Sequence, residues 1–224
     1  MEPQHLKQNP VLRFFRNYPH WYLLIYWLIY IAMFIFVERI YPVSSYHVIH
    51  SPLDDLIPFC EFFLIPYAAW YIFLVFIQVY TFFWRPEAFK RFIYFAALTY
   101  TTAIVIYMIY PNCQQGRPLE FARDNLLTDI AKILYSVDTS TNVCPSIHVI
   151  GTVGILFATW DCPKLKTVKW QIFFWIWTVL ISISTVFLKQ HSVIDIVAAI
   201  PVCVVGYCII YKWLPKREKN NIKS

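Results

Sequence analysis

Six long apolar runs alternate with polar loops along the sequence. These runs cover residues 21–37, 56–83, 92–110, 145–160, 170–188 and 193–214. Because about 20 apolar residues in a helix cross the hydrocarbon core of a bilayer, runs of this length predict transmembrane helices. The pattern therefore predicts an all-α integral membrane protein, a bundle of six transmembrane helices that forms one domain over residues 1–224.

The run over residues 145–160 is the shortest of the six. As a helix it rises only about 24 Å, so we expect its N-terminus to lie below the level of the lipid headgroups. The longest polar segment, residues 111–144, precedes it. Within that segment, residues 119–135 carry apolar side chains at helical spacing, which predicts a short interfacial helix in the loop.

The composition agrees with a membrane protein. Hydrophobic residues make up 59% of the chain and charged residues only 14%. Soluble domains carry about 25% charged residues, so this composition excludes an ordinary soluble protein. No basic stripe covers a predicted face, and nucleic acid is therefore not a predicted partner. The predicted partners are the bilayer and a membrane lipid as substrate, and the sequence leaves the oligomeric state open.

Lysine and arginine residues divide unequally between the two sides of the predicted bundle. Six spans place both chain termini on one side, together with the basic loops at residues 85–91 and 164–169. The basic residues of the opposite side are Arg39, Arg117, Arg123, Lys132 and Lys189. Because basic residues concentrate on the cytoplasmic side, we predict cytoplasmic termini in the cell membrane. Arg117, His148 and His191 are then expected on the outer face.

His191 and Asp195 are four residues apart at the start of the last apolar run. In a helix this spacing puts the two side chains on one face. An aspartate that accepts from one imidazole nitrogen fixes the tautomer and leaves the other nitrogen free to act as a nucleophile. The alternative is a structural interfacial histidine capped by a nearby aspartate, and the spacing alone does not decide between the two.

His148 follows Pro145 and Ser146 where another apolar run begins. A helix N-terminus offers free backbone N–H groups, which bind phosphate readily. In this setting His148 is a candidate general acid that protonates a leaving alkoxide, and the alternative is a solvated histidine at a helix end. Ser146 either donates to a phosphate oxygen or caps the helix.

Arg117 and Lys189 are candidates for binding phosphate, because cations neutralise equatorial phosphoryl oxygens in an in-line transfer. The alternatives are headgroup binding for Arg117 and snorkelling for Lys189. Among the acids, Glu61 is expected to be partly wetted, and to contact the substrate, a loop cation or neither. Asp54 and Asp55 are expected to be solvated loop charges.

Cys113 and Cys144 share the long polar loop, and the sequence leaves open whether they form a disulfide or stay as two free thiols. Two histidines, Asp195 and Glu61 supply ligand types for a metal ion, but no HExxH or closely spaced His/Cys set accompanies them. The residues therefore predict neither a metal site nor a cofactor.

The motifs resemble those of the type 2 phosphatidic acid phosphatase superfamily, which carries three signature blocks on the outer face of six spans. The second block, P-S-x-H, is matched by residues 145–148. The third block, S-R-x5-H-x3-D, is matched at three positions by Ser184, His191 and Asp195. The first block, K-x6-R-P, is matched only by Arg117 and the proline that follows it.

Three positions depart from the blocks of that family. Tyr110 stands where the lysine of the first block is expected, and Thr185 stands where the arginine of the third block is expected. Ile147 replaces a glycine that most phosphatases of the family have, while Lys189 is a candidate replacement for a lost cation. These departures are similar to the inositol phosphorylceramide synthase branch, whose members move a phospho-alcohol headgroup between lipids.

The resemblance implies a two-step reaction without a metal ion, in which His191 attacks phosphorus, Asp195 orients it and His148 protonates the leaving group. Water or an acceptor hydroxyl then takes the phosphoryl group from the phosphohistidine. The expected function is a lipid phosphate phosphatase that hydrolyses a phosphomonoester or pyrophosphate of a membrane lipid. The alternatives are a lipid headgroup phosphotransferase and, outside the enzymes, a membrane carrier or scaffold.

Overall fold

The structure, a computed structural model, describes residues 10–214 of the chain. Over this range the α-helices are α1 (Pro10–Asn17), α2 (Ile25–Arg39), α3 (Pro52–Leu56), α4 (Leu64–Trp84), α5 (Pro86–Ile109), α6 (Leu126–Val137), α7 (Ile147–Trp160), α8 (Val168–Phe187) and α9 (Val193–Tyr207). The strands β1 (His47–Val48) and β2 (Asn112–Cys113) pair in parallel and join the loop after α2 to the loop after α5. Short 3-10 helices lead into α2 and α4, and a π-helix extends α9.

Five helical segments are long and apolar enough to cross a bilayer. They are Pro19–Arg39, Glu61–Trp84, Pro86–Ile109, Val168–Phe187 and Val193–Trp213. The fourth predicted span, α7, has only 14 residues. A mostly helical chain with several apolar helices of transmembrane length is therefore confirmed for the described residues. A sixth crossing and a single-domain organisation remain predictions.

α7 lies among longer helices and packs against α4, α5, α8 and α9. Because these neighbours surround it, its ends need not reach the headgroups, which explains how so short a helix fits. Gly151 allows the close approach: a Cβ there would lie 2.4 Å from Tyr100 Oη and 3.0 Å from Trp70 Nε1. Real Cβ atoms do not come that close to a neighbour, so glycine is required at this point of contact.

Aromatic rings fill much of the space between the helices. One buried cluster near the α4–α5 loop includes Phe82 and Phe89. A second cluster, nearer the other end of α5, includes Tyr100 and Tyr107. Tyr107 Oη donates to the carbonyl oxygen of Pro145 at 2.6 Å. The second cluster therefore also holds the peptide that leads into α7.

The start of α7 differs from the sequence prediction. Ser146 is the N-cap and Ile147 is the first helical residue, so Pro145 lies before the helix and not in its first turn. Ser146 has extended backbone angles, and its Oγ accepts from Val149 N at 3.5 Å. A serine that accepts from the first turn fixes the helix start at the following residue.

A short helix is present in the predicted loop as α6, but it begins at Leu126, so residues 119–125 of the predicted range are not helical. Asn125 caps it by accepting from the N–H groups of Leu127 and Thr128. An exposed apolar stripe runs along one face and consists of Leu126, Ile130, Ile133 and Val137. Such a stripe is typical of a helix that lies in a membrane interface.

Glu61 joins this loop to the start of α4. Its side chain is only 3% exposed, accepts from Asn125 Nδ2 at 3.1 Å and pairs with Arg123 Nη1 at 3.3 Å. The expectation of a partly wetted acid was wrong, because the loop folds back over the carboxylate. Glu61 was expected to contact the substrate, a loop cation or neither, and the structure contains the contact with a loop cation, Arg123.

Candidate active site

The first turns of α7 and α9 meet and bring two histidines into contact. His148 Nδ1 lies 3.2 Å from His191 Nε2, and His191 Nδ1 lies 3.0 Å from Asp195 Oδ2. The Asp195 side chain is fully buried. His148 in the first turn of α7, His191 in the loop just before α9 and Asp195 in the first turn of α9 thus form one hydrogen-bonded array.

Asp195 serves two purposes at the start of α9. Its Oδ2 accepts from His191 Nδ1 and also from Ser192 N at 3.0 Å, which is the capping box of α9. Because a carboxylate only accepts, His191 Nδ1 carries the proton and Nε2 presents a lone pair to His148. The structure therefore contains the His191–Asp195 contact that both alternatives require, and the catalytic role of His191 stays a prediction.

The imidazole of His148 is enclosed by aromatic rings. Its ring centroid lies 4.8 Å from that of Tyr67 and 4.5 Å from that of Trp70. Its Nε2 is buried and has no hydrogen-bond partner among residues 10–214. His148 is thus not a freely solvated histidine at a helix end, and its polar contact is directed to His191.

Ser146 is placed for capping. The side chain is fully buried, and its hydroxyl oxygen accepts from the first turn of α7. Its backbone N–H donates to the carbonyl oxygen of Asp195 at 3.1 Å. Of the two roles that the sequence left open, the structure contains the cap. The residue also joins the starts of α7 and α9.

Arg117 lies beside the histidines, but its guanidinium is engaged by the protein. Nη1 donates to the Tyr135 carbonyl at 3.2 Å, and Nη2 donates to the Thr139 carbonyl at 3.0 Å and to Gln190 Oε1. The guanidinium also lies 4.5 Å from the centre of the Tyr135 ring. Burial lowers the pKa of Arg117, while Asp138 opposes this shift. Arg117 therefore acts on the neighbouring loop and on Gln190.

Lys189 is likewise engaged. It ends α8 with a positive φ of 52°, and its Nζ donates to the carbonyl oxygens of Asp54, at 2.6 Å, and Ile57. At the position of the family's arginine, the Thr185 hydroxyl donates to the Ser182 carbonyl at 2.8 Å. Two of the three Nζ protons of Lys189 and the hydroxyl proton of Thr185 are thus donated to protein carbonyl oxygens.

Asp54 differs from its expectation as a solvated loop charge. Its carboxylate accepts from Ser192 Oγ at 2.5 Å and from Val193 N at 2.8 Å. It therefore covers the N-terminus of α9, where the helix dipole favours a negative charge. Asp55 is exposed as expected, with His50 Nε2 2.9 Å from its Oδ1.

Two cavities adjoin His191. The smaller one, of about 50 Å³, is lined by both histidines, Asp138, Gln190 and Tyr107. The larger one, of about 540 Å³, is lined by His191, Lys189, Asp54, Gln114 and Ser192. Only the smaller cavity brings His191 and His148 together, so it marks the place where chemistry at both imidazoles is possible.

Asp138 lines the smaller cavity and was not singled out by the sequence. Tyr67 Oη donates to its Oδ2 at 3.1 Å. Burial raises the pKa of Asp138, and the nearby His191 and the Tyr67 hydroxyl partly offset this. Its position among many polar loop residues gave no signal, because no spacing rule links it to either histidine.

Glu38, at the end of α2, was also missed. Its two oxygens accept from Thr139 Oγ1 at 2.6 Å, Thr141 Oγ1 at 2.9 Å and Asn142 Nδ2 at 2.5 Å. From the other side, Asn112 Oδ1 accepts from the N–H groups of residues 143 and 144 at 2.9 and 2.8 Å. These two side chains fix the loop that leads into α7, and thereby fix the position of His148.

All cysteines among residues 10–214 are free thiols, including Cys113 and Cys144. Burial, with a smaller effect of Asp195, raises the pKa of the Cys144 thiol to about 12. The described residues contain no group of three or more His, Cys, Asp or Glu side chains that could hold a metal ion.

Comparison with known proteins gives one match. Residues 110–219 match the family model of the PAP2 superfamily, a range that contains Arg117 and both histidines. No curated protein and no solved structure matches the chain. The matched range and the meeting of the second and third blocks at one site lead to a single assignment: the chain belongs to the PAP2 superfamily.

Proposed function

We propose that this protein is a lipid phosphate phosphatase that hydrolyses a phosphomonoester or pyrophosphate of a membrane lipid through a phosphohistidine at His191. Members of the PAP2 superfamily are phosphatases and phosphotransferases, so the chain is an enzyme of this general type. The observation that carries the proposal is the array His148–His191–Asp195, with contacts of 3.2 and 3.0 Å.

In the first step, the Nε2 lone pair of His191 attacks phosphorus, and the bond from phosphorus to the lipid oxygen breaks. His148, as a doubly protonated imidazolium, gives its Nδ1 proton to the leaving alkoxide, which departs as the lipid alcohol, and His148 becomes a neutral imidazole. Asp195 keeps the proton on His191 Nδ1 and stabilises the positive charge that the ring acquires. No metal ion takes part in this proposal.

In the second step, His148 takes a proton from water and the resulting hydroxide attacks phosphorus. The nitrogen–phosphorus bond breaks, inorganic phosphate leaves, and both histidines return to their starting protonation states. His148 is therefore the acid of the first step and the base of the second step.

The array also sets a condition on substrate binding. The proposed transfer requires room for one phosphoryl group between the imidazoles, whereas the two rings contact each other directly. Binding a phosphoryl group must therefore replace the His148–His191 hydrogen bond by one contact from each ring.

The proposal places the site on the outer face of the cell membrane. It rests on the concentration of lysine and arginine at the opposite end of the bundle, including Arg85, Arg91 and Lys164. Lys7 and the basic residues of the C-terminal tail also enter this count, and they lie outside the described residues.

A specific observation supports a second candidate, transfer of a phospho-alcohol headgroup between lipids. Arg117 and Lys189 donate to protein acceptors, and the carboxylates of Asp54 and Asp138 line the cavities next to His191. A phosphodiester carries one negative charge fewer than a phosphomonoester, so this environment repels it less. The departures in the signature blocks agree with this candidate.

The test uses purified protein with a panel of lipid monophosphates, lipid pyrophosphates and phosphodiesters, and measures inorganic phosphate and lipid products together. Release of phosphate supports the phosphatase, and an acceptor lipid that carries the headgroup supports the transferase. His191→Ala is expected to abolish both products. Unaltered turnover by that variant would exclude a phosphohistidine at His191, and absence of both products from the parent protein would leave the carrier or scaffold.

A further inference from the structure

Gln190 immediately precedes His191 and is held in a single orientation. Its side chain is 2% exposed, and its backbone N–H donates to the Thr185 carbonyl at 2.9 Å. Its Oε1 accepts from Arg117 Nη2. A guanidinium only donates, so the amide atom next to Arg117 must be the oxygen. The other amide atom, Nε2, therefore faces away from Arg117.

The Nε2 group of Gln190 is a buried donor without a hydrogen-bond partner among residues 10–214. Leaving such a donor unpaired costs about 1–3 kcal/mol, and most buried polar groups in proteins are paired. Gln190 lines the smaller cavity together with His148 and His191. An unpaired donor therefore borders the cavity that contains both imidazoles.

We propose that Gln190 Nε2 donates a hydrogen bond to a non-bridging oxygen of the phosphoryl group during its transfer to His191, and that Arg117 acts by orienting this amide. The inference rests on the proposed phosphoryl transfer. It assigns Gln190 as a substrate-contacting residue and Arg117 as a positioning residue.

The chemistry of the transition state favours such a donor. When His191 Nε2 approaches phosphorus, negative charge is spread over the non-bridging oxygens. A donor that is already in place stabilises this charge without reorganisation, and in oxyanion holes the loss of one donor costs about 10²–10³-fold in kcat. The neutral amide of Gln190 can stabilise the transition state in this way without adding a charge beside Asp138.

Gln190→Glu is the direct test, because it keeps the size of the side chain and an acceptor for Arg117 while it removes the donor. We expect kcat to fall about 10²-fold with a similar loss of affinity for vanadate, a mimic of pentacoordinate phosphorus, and KM to rise as well, because the new carboxylate repels a negatively charged substrate. Gln190→Met, which removes donor and acceptor, is expected to show the same loss. Arg117→Met should lower kcat by a smaller factor, because it leaves the amide in place but free to rotate.

Gln171→Met is the matched control. Gln171 Nε2 donates to Thr159 Oγ1 and the Leu165 carbonyl near the first residues of α8, so its loss reports the cost of removing a partly buried glutamine. We expect its kcat to stay within about twofold of the parent protein. Melting temperatures measured for all variants separate catalytic loss from unfolding.

The outcomes distinguish the two proposals. If His191→Ala is inactive while both Gln190 variants keep parental kcat and vanadate affinity, the role of Gln190 is excluded and the phosphohistidine reaction stands. If His191→Ala is fully active, the phosphohistidine reaction and the role of Gln190 both fall. A fall in kcat for Gln190→Met but not for Gln190→Glu would also exclude the donor, since both variants lack it.

Discussion

At the scale of single residues, the site combines catalytic and structural tasks in the same side chains. Asp195 orients His191 and caps α9, and Ser146 caps α7 while its backbone N–H contacts Asp195. Because helix starts present both free N–H groups and the first side chains, a capping residue in such a place also defines the position of a catalytic neighbour. Stability and activity are therefore expected to change together at these positions.

Asp138 gives a prediction on pH. Burial raises its pKa above the ordinary aspartate value, so the folded state holds the proton more tightly than the unfolded state. The unfolded chain loses this proton first, near pH 4, and the folded protein therefore loses stability as the pH rises through the higher, folded pKa. Asp138→Asn, which cannot ionise, is expected to flatten this part of the melting-temperature profile.

The profile is measured from pH 3.5 upwards in detergent by intrinsic fluorescence. Asp129→Asn is the control, because that carboxylate lies exposed on α6 beside Lys132. A parent-like fall of melting temperature in Asp138→Asn would show that another group causes it.

At the scale of elements, two loops that polar side chains hold in place fix the positions of His148 and His191. The loop before α7 is held by Glu38 from α2 and by Asn112 from β2. The loop before α9 is covered by Asp54 and held by Lys189. The histidines are close because these loops are fixed, so disturbing a clamp is expected to reduce activity without touching an imidazole.

Glu38→Gln replaces one of two accepting oxygens by a donor, which opposes either Asn142 Nδ2 or the two threonine hydroxyls. We expect a loss of about 1–3 kcal/mol in the free energy of unfolding, as for hydrogen bonds to charged groups, and a fall in kcat as His148 loses its position. Denaturation and initial rates are measured on the same samples. Glu87→Gln, at an exposed ion pair with Lys90, should change neither, and equal effects of the two variants would contradict the clamp.

Gly151→Ala tests the packing of α7. The added Cβ would meet Tyr100 Oη at 2.4 Å, so α7 must shift, and overpacking of this kind costs about 1–3 kcal/mol. The shift also moves His148, one turn earlier. Because Tyr100 Oη has no partner among the described residues, Tyr100→Phe alone should be nearly neutral, and the double variant should recover part of the melting temperature and activity. Absence of recovery would show that Tyr100 does not limit the contact.

At the scale of the whole molecule, the helices form a scaffold with the candidate site at one end. The α4–α5 loop and the start of α8 lie at the other end, where Arg91 pairs with Asp161 at 3.0 Å. The ends differ in their basic residues, and that difference predicts the orientation in the membrane and the leaflet that supplies the substrate.

Labelling with a membrane-impermeant maleimide tests this orientation. Asp129→Cys, on α6, should be labelled on intact cells, and Lys166→Cys, in the loop before α8, only after the membrane is opened. The parent protein measures the background from the native thiols. The reverse pattern would move the site to the cytoplasmic leaflet and contradict the charge-based prediction.

The sequence by itself determined the features that depend on short-range periodicity. Apolar runs predicted the helical, membrane-spanning character, and the four-residue spacing of His191 and Asp195 predicted a contact that the structure contains. Helical spacing also predicted α6. Each of these follows from a repeat of 3.6 residues, which is fixed by the local backbone and needs no knowledge of distant parts of the chain.

Only the tertiary structure decided which distant groups meet. It brought His148 to His191, buried Glu61, placed Asp54 on α9, and paired Arg117 with Gln190. No periodicity encodes these pairs, because each depends on how separate helices and loops pack. Packing also decided which polar groups of the described residues have no partner. Gln190 Nε2 is one of them, and its proposed role as a donor rests on that observation.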